Sequence, residues 1–99
     1  MNSEGIAEVG VDEQGRIYIR PVGIEFGQIY RAAMEVQWDE ERGRLYSPVP
    51  RQWSLAQWYT QIVDAAADEY GVALERNSET KWNDVPPEVR LQIEALPES

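Results

Sequence analysis

Cysteine and histidine are both absent from this chain. Without thiols there are no disulfides, no thiolate metal sites and no cysteine nucleophile. Without imidazole, serine–histidine and cysteine–histidine catalysis are excluded, and so are the ordinary zinc sites. Long apolar runs are lacking too. The longest uncharged stretch, residues 52–63, is too short and too polar to span a bilayer. The first residues show no basic region followed by an apolar run, so no signal peptide is expected. Positive charge is scarce: nine basic residues stand against eighteen acids, a net charge of −9 at pH 7. That field repels nucleic-acid phosphates and anionic membranes, so neither is expected as a partner. The expected location is the cytoplasm, and no cofactor or metal is expected.

Aromatic residues are what the chain has in quantity. Four tryptophans and five tyrosines occur in 99 residues, and each can bury on the order of 150–250 Å². A chain of this size buries only roughly 60–65% of its unfolded surface, so such residues carry much of the core. One domain over residues 1–99 is expected, with the polar residues 1–5 frayed.

Periodicity outlines the elements. "IAEVGVDEQGRIYIR" reads as two strands and a tight turn. Ala7, Val9 and Val11 share one face, Ile17 and Ile19 another, and Gly15 supplies a left-handed turn position after Asp12. Residues 26–36 fit both helical and alternating spacing; the run Arg31–Glu35 of good helix formers favours a helix. "DEERG" is a turn, and "RLYS" a short strand stopped by Pro48 and Pro50. Ser54 and Gln57 form a capping box, flanked by Trp53 and Trp58 at the two positions of a hydrophobic staple. The helix that follows runs to about Tyr70 and stops at Gly71. "VALER" is a strand, "NSETKWNDV" a loop carrying Trp82, and Asp84 caps a last helix with Val89, Ile93 and Leu96 inward. The expected fold is α+β: a small, antiparallel-dominated sheet with an N-terminal hairpin, packed by two to three helices.

The motif search is mostly negative. Neither a phosphate-binding glycine loop nor an EF-hand spacing is present, and the acids of "DEERGR" belong to a solvated turn. No catalytic residue is nominated. The candidate binding residues are Trp53, Arg51, Trp38, Tyr59 and Arg44, because tryptophan, tyrosine and arginine dominate binding hot spots. Core filling is the competing role, strongest for Trp58 and Trp82.

The blocks "IYRAAMEVQWD", "GRLYSPVPRQWS", "WYTQI", "EYGVAL" and "TKWNDVPPEVRLQI", spread over about residues 16–95, resemble small proteins encoded on mobile integron gene cassettes of environmental bacteria. The resemblance implies a soluble bacterial accessory protein, with homo-oligomer formation as an expectation. It carries over no defined activity. Three functions follow from the residues. The first is a non-catalytic binding or interaction module with a protein or small-molecule ligand. The second is an acidic antitoxin, immunity protein or DNA mimic opposing a basic partner. The third, a histidine-independent enzyme, requires a carboxylate buried in an apolar pocket.

Overall fold

Residues 2–96 are described by the computed structural model. Strand β1 (Asn2–Val11) runs through the middle of the sheet, and β2 (Ile17–Pro21) returns antiparallel beside it. Strands β3 (Gln37–Asp39) and β4 (Arg44–Tyr46) extend that side, β4 pairing antiparallel with β2 and β3 with β4. Helix α1 (Leu55–Tyr70) then crosses over to β5 (Val72–Glu75), followed by β6 (Lys81–Asn83) and helix α2 (Pro87–Glu94). Strands β5 and β6 both lie parallel to β1, β5 along its first half and β6 along its second. The architecture is α+β, a six-stranded, mostly antiparallel sheet with two helices.

The hairpin turn is built as its sequence requires. Gly15 N donates to Asp12 O at 3.0 Å, and Gly15 takes a φ of 81°. The Asp12 carboxylate accepts from Gln14 N and Arg16 N, both at 2.9 Å, and from Arg16 Nε at 2.7 Å. Partial burial of this carboxyl raises its pKa. The hydrogen bonds from Arg16 and Gln14, helped by the Arg16 charge, outweigh that effect and hold it below the ordinary value.

Five expectations need correction. Residues 2–5 do not fray: they pair with residues 72–75 of β5, because an edge there would leave their backbone groups unpaired. Met1 lies outside the described residues. A bulge follows at Ala7, since Ile6 pairs with Pro21 and Glu8 with Arg20. The extra residue shifts the alternation, so Ile6 joins Val9 in the core in place of Ala7. Residues 26–36 are not an α-helix but successive tight turns around a 3-10 turn at Ile29–Arg31. Gln28 offers no side-chain cap, and Gly27 precedes it. The helix-like spacing is nevertheless used, because Phe26, Ile29, Ala33 and Val36 are all buried. Lastly, Trp82 belongs to β6 rather than a loop, and Asp84 does not cap α2, whose first turn is set by Pro86 and Pro87.

The core lies between one sheet face and the helices. Val9, Ile17, Ile19 and Leu45 from the sheet meet Trp58, Tyr59, Ile62, Ala66 and Ile93 from the helices. Phe26 packs edge-on to Tyr70, with ring centroids 4.8 Å apart, and against Trp38 at 5.9 Å. The Tyr70 hydroxyl accepts from Gln28 N at 2.9 Å, which pins the turn segment to the end of α1.

No helix among the described residues lies over the opposite sheet face. Direct pairing places Glu8 with Arg20 and Lys81, and Gly10 with Tyr18 and Asn83, while Tyr18 pairs with Tyr46. Tyr18 lies flat on Gly10 and is covered on its other side by Arg44, whose guanidinium carbon is 3.8 Å from the ring centroid. Its hydroxyl donates to Glu8 and accepts from Asn83 Nδ2 at 2.9 Å. Burial, then donation to Glu8 and the nearby Glu8 charge, push the phenol pKa up; Asn83 and Arg44 oppose this without cancelling it.

A Cβ at residue 10 would overlap the Tyr18 ring. Gly10→Ala should therefore lose about 1–3 kcal/mol in denaturant unfolding, as expected for overpacking, and this loss should largely disappear in a Tyr18→Leu background. Two pH effects follow from the shifted groups. Asp12 has a lowered folded pKa, so its contribution is present above its unfolded pKa of about 3.9 and is lost as pH falls through the folded value. Asp12→Asn should flatten that acid limb of the stability curve. Tyr18 has a raised folded pKa, so its contribution is present below about pH 10 and is lost as pH climbs through the folded value. In an alkaline absorbance titration Tyr18 should ionise late, and Tyr18→Phe should remove that late step.

Candidate functional site

The segment between β4 and α1 begins with a substitution in the backbone ladder. Ser47 is fully buried; its Oγ accepts from Ile17 N at 3.2 Å and donates to Pro48 O at 2.9 Å, while Ser47 N donates to Ile17 O at 2.9 Å. Pro48 and Pro50, which have no N–H, can leave the sheet from there without orphaning a donor. The chain then meets the helix start. Ser54 Oγ accepts from Gln57 N at 3.2 Å, and Gln57 Oε1 accepts from Ser54 N at 2.7 Å, the reciprocal capping box. Gly71 closes the other end with a φ of 63°.

Trp53 and Trp58 form the staple across that first turn, with ring centroids 4.7 Å apart and planes inclined by 46°. Their burial differs as the geometry demands: Trp58 is 7% exposed, whereas Trp53 is 43% exposed. The outer residue packs over the inner one from outside the helix, so its far side stays in solvent. These two rings, Pro48, Val49, Arg51, Gln52 and Glu35 line an open groove of ≈ 630 Å³. Its walls are mainly apolar, with one cation and one carboxylate at the rim. A site of this size and composition can hold an apolar or aromatic group and orient it through a few polar contacts. The indole N–H of Trp58 is buried without an acceptor among the described residues, as is that of Trp38.

The five nominated residues do not converge. Trp53 and Arg51 share the groove. Trp38 lies on β3, half-buried against Phe26, and faces a different, shallower recess beside residues 20–25. Tyr59 is buried in the core on α1, with the Arg76 guanidinium 5.8 Å from its ring. Arg44 stands on the uncovered sheet face over Tyr18. Consecutive helical positions 58 and 59 point 100° apart, which separates Tyr59 from Trp58. Glu35, Val49 and Gln52 were not nominated; only the tertiary approach of the 26–36 turns brings Glu35 to the groove.

Among the described residues the buried polar side chains are Ser47 and Thr80, neither of them a carboxylate. The same residues contain no cluster of three or more acids or other ligating side chains spaced to hold a metal ion. No helix among them is long and apolar enough to cross a membrane.

Comparison with known proteins fits this fold and adds a family. Residues 4–80 match the family model described as Integron Cassette Protein Hfx_Cass5. That span holds β1 from its third residue, β2 to β5, α1 and the whole groove, and it ends just before β6. A solved structure from the mobile metagenome of North West Arm Sewage Outfall, Integron Cassette Protein Hfx_Cass5, is 47% identical, with 94% of this chain and 93% of that chain covered and a TM-score of 0.50. No curated protein matches the chain. On the family match and the extent of that identity, the chain belongs to the Hfx_Cass5 family of integron cassette proteins.

Proposed function

We propose that this integron cassette protein is a non-catalytic binding module that receives an apolar or aromatic group of a protein or small-molecule ligand in the groove at the start of α1. The observation that carries the reading is Trp53: a large ring held half in solvent by a staple and a capping box, beside Arg51 and over an apolar floor. The staple leaves the outer face of this ring in solvent, where it offers a rigid apolar surface to a docking group. The proline-flanked approach restricts the unbound segment, which lowers the entropy lost when a partner docks. Self-association through the same rim is one form of this activity. An acidic decoy is less well supported, since Arg20, Arg44 and Lys81 interrupt any continuous carboxylate array on the sheet.

Trp58→Ala should cost about 3–5 kcal/mol of stability, the range for deleting a large core aromatic. Trp53→Ala should cost clearly less, yet abolish ligand response or self-association. Thermal melting, sedimentation velocity and tryptophan quenching against a metabolite library separate the two roles. If Trp53→Ala melts as low as Trp58→Ala while assembly and quenching survive in the folded fraction, both rings are core and the groove is not the site.

A further inference from the structure

A second recess lies on the sheet face that no helix covers and shares no residue with the tryptophan groove. It encloses ≈ 400 Å³ and is lined by Asp12, Glu13, Arg16, Arg42, Arg44 and Asp84, with Tyr18 and Asn83 among the neighbouring groups. In a chain with twice as many acids as bases, this recess gathers three of each. Two of its arginines are already neutralised: Arg16 by Asp12 at 2.7 Å, and Arg42 by Asp39 at 3.0 Å. Three charges are left over. Among the described residues Arg44 has no carboxylate partner, and neither Glu13 nor Asp84 has a cation.

Arg44 is kept from these acids by its stacking, and Asp84 is placed by its backbone. The Arg44 guanidinium is stacked at 3.8 Å on the Tyr18 ring, and that ring is itself fixed by Gly10 beneath it and by Glu8 and Asn83 at its hydroxyl. Stacking leaves the edge of the guanidinium, with its fork of N–H donors, free to meet a planar carboxylate. Asp84 has a φ of 56°, the left-handed region that an aspartate tolerates, and follows Asn83 directly, so its backbone is set by the end of β6.

We propose that this recess binds a small zwitterion of the free α-amino acid class, its carboxylate on Arg44 and its ammonium on Asp84 and Glu13. A simple anion would leave the two acids facing it, and a simple amine would face Arg44. Only a ligand carrying both charges satisfies the unpaired groups of both signs. The floor needs little reorganisation, because Tyr18 is already locked by its two hydrogen bonds.

The test is a thermal-shift screen of the full-length protein with the twenty free L-amino acids, followed by calorimetric titration of the best one. That amino acid is then compared with its decarboxylated amine and its deaminated acid. Binding should require both charges, so each half-analogue should bind about ten- to a hundredfold more weakly, the loss expected for one charge-assisted contact. Arg44→Gln and Asp84→Asn should each weaken binding to the same extent. Asp84→Asn is at an exposed position and keeps a residue that accepts a left-handed backbone, so it stays informative if Arg44→Gln melts early. A screen in which no amino acid shifts the melting temperature overturns the proposal. So does a deaminated acid or an amine that binds as well as the parent, or binding that survives Asp84→Asn. Trp53→Ala should leave this binding unchanged, which separates its failure from failure of the tryptophan groove.

Discussion

Strand β1 must find partners for its backbone along both edges, and the other elements are arranged around that requirement. One edge is filled by β2 over residues 6–11, at the cost of a bulge at Ala7. The other edge is shared by two short parallel strands with a gap between them, where residues 76–80 loop away. An orphaned carbonyl in that gap would be costly. Thr80 removes the problem: its buried hydroxyl donates to Ile6 O at 2.6 Å and accepts from Asn77 N at 3.0 Å. One side chain thus closes the ladder and sets where β6 begins. The position of β6 in turn places Asn83 against Tyr18, and Trp82 on the core side against the Arg90 guanidinium at 4.8 Å.

The sheet that results has two unlike faces, and the chemistry divides with them. Period-two alternation sends Ile17, Ile19 and Leu45 into the core and Arg16, Tyr18, Arg20, Arg44 and Tyr46 outward. On the outward side arginine and tyrosine cross diagonally, Arg44 over Tyr18 and Arg16 over Tyr46 at 4.6 Å. Such stacks cover aromatic surface with the flat face of a guanidinium. They give a small protein with no spare helix a way to shield that side of its sheet. On the inward side the start of α1 does the corresponding work with a staple of two indoles. The apolar groove and the charged recess are therefore consequences of how each face is closed.

Much of this was legible in the chain. The hairpin turn at Asp12–Gly15, the capping box at Ser54, the staple, and the stop at Gly71 all depend on contacts within a few residues, and local sequence encodes such contacts directly. The alternation in "RIYIR" and "RLY" also marks an arginine–tyrosine face, although only Arg44 of that group was singled out. The 26–36 segment was harder. Its buried spacing is that of a helix, but without a cap and with both ends tied to distant strands it closes as separate turns. Local propensity could not report that constraint.

The sequence by itself determined the fold class, the helix limits of α1 and the unequal burial of Trp53 and Trp58, because each rests on periodicity or on hydrogen bonds between near neighbours. Tertiary structure alone decided that Trp38, Tyr59 and Arg44 stand apart from Trp53 and Arg51, that residues 2–5 pair with β5, and that Asp84 and Arg44 line one recess. Those outcomes depend on which strands pair across seventy residues of chain, on a one-residue bulge, and on which face each side chain reaches. A register shift of a single residue would reverse every one of those faces, and nothing local in the chain measures it.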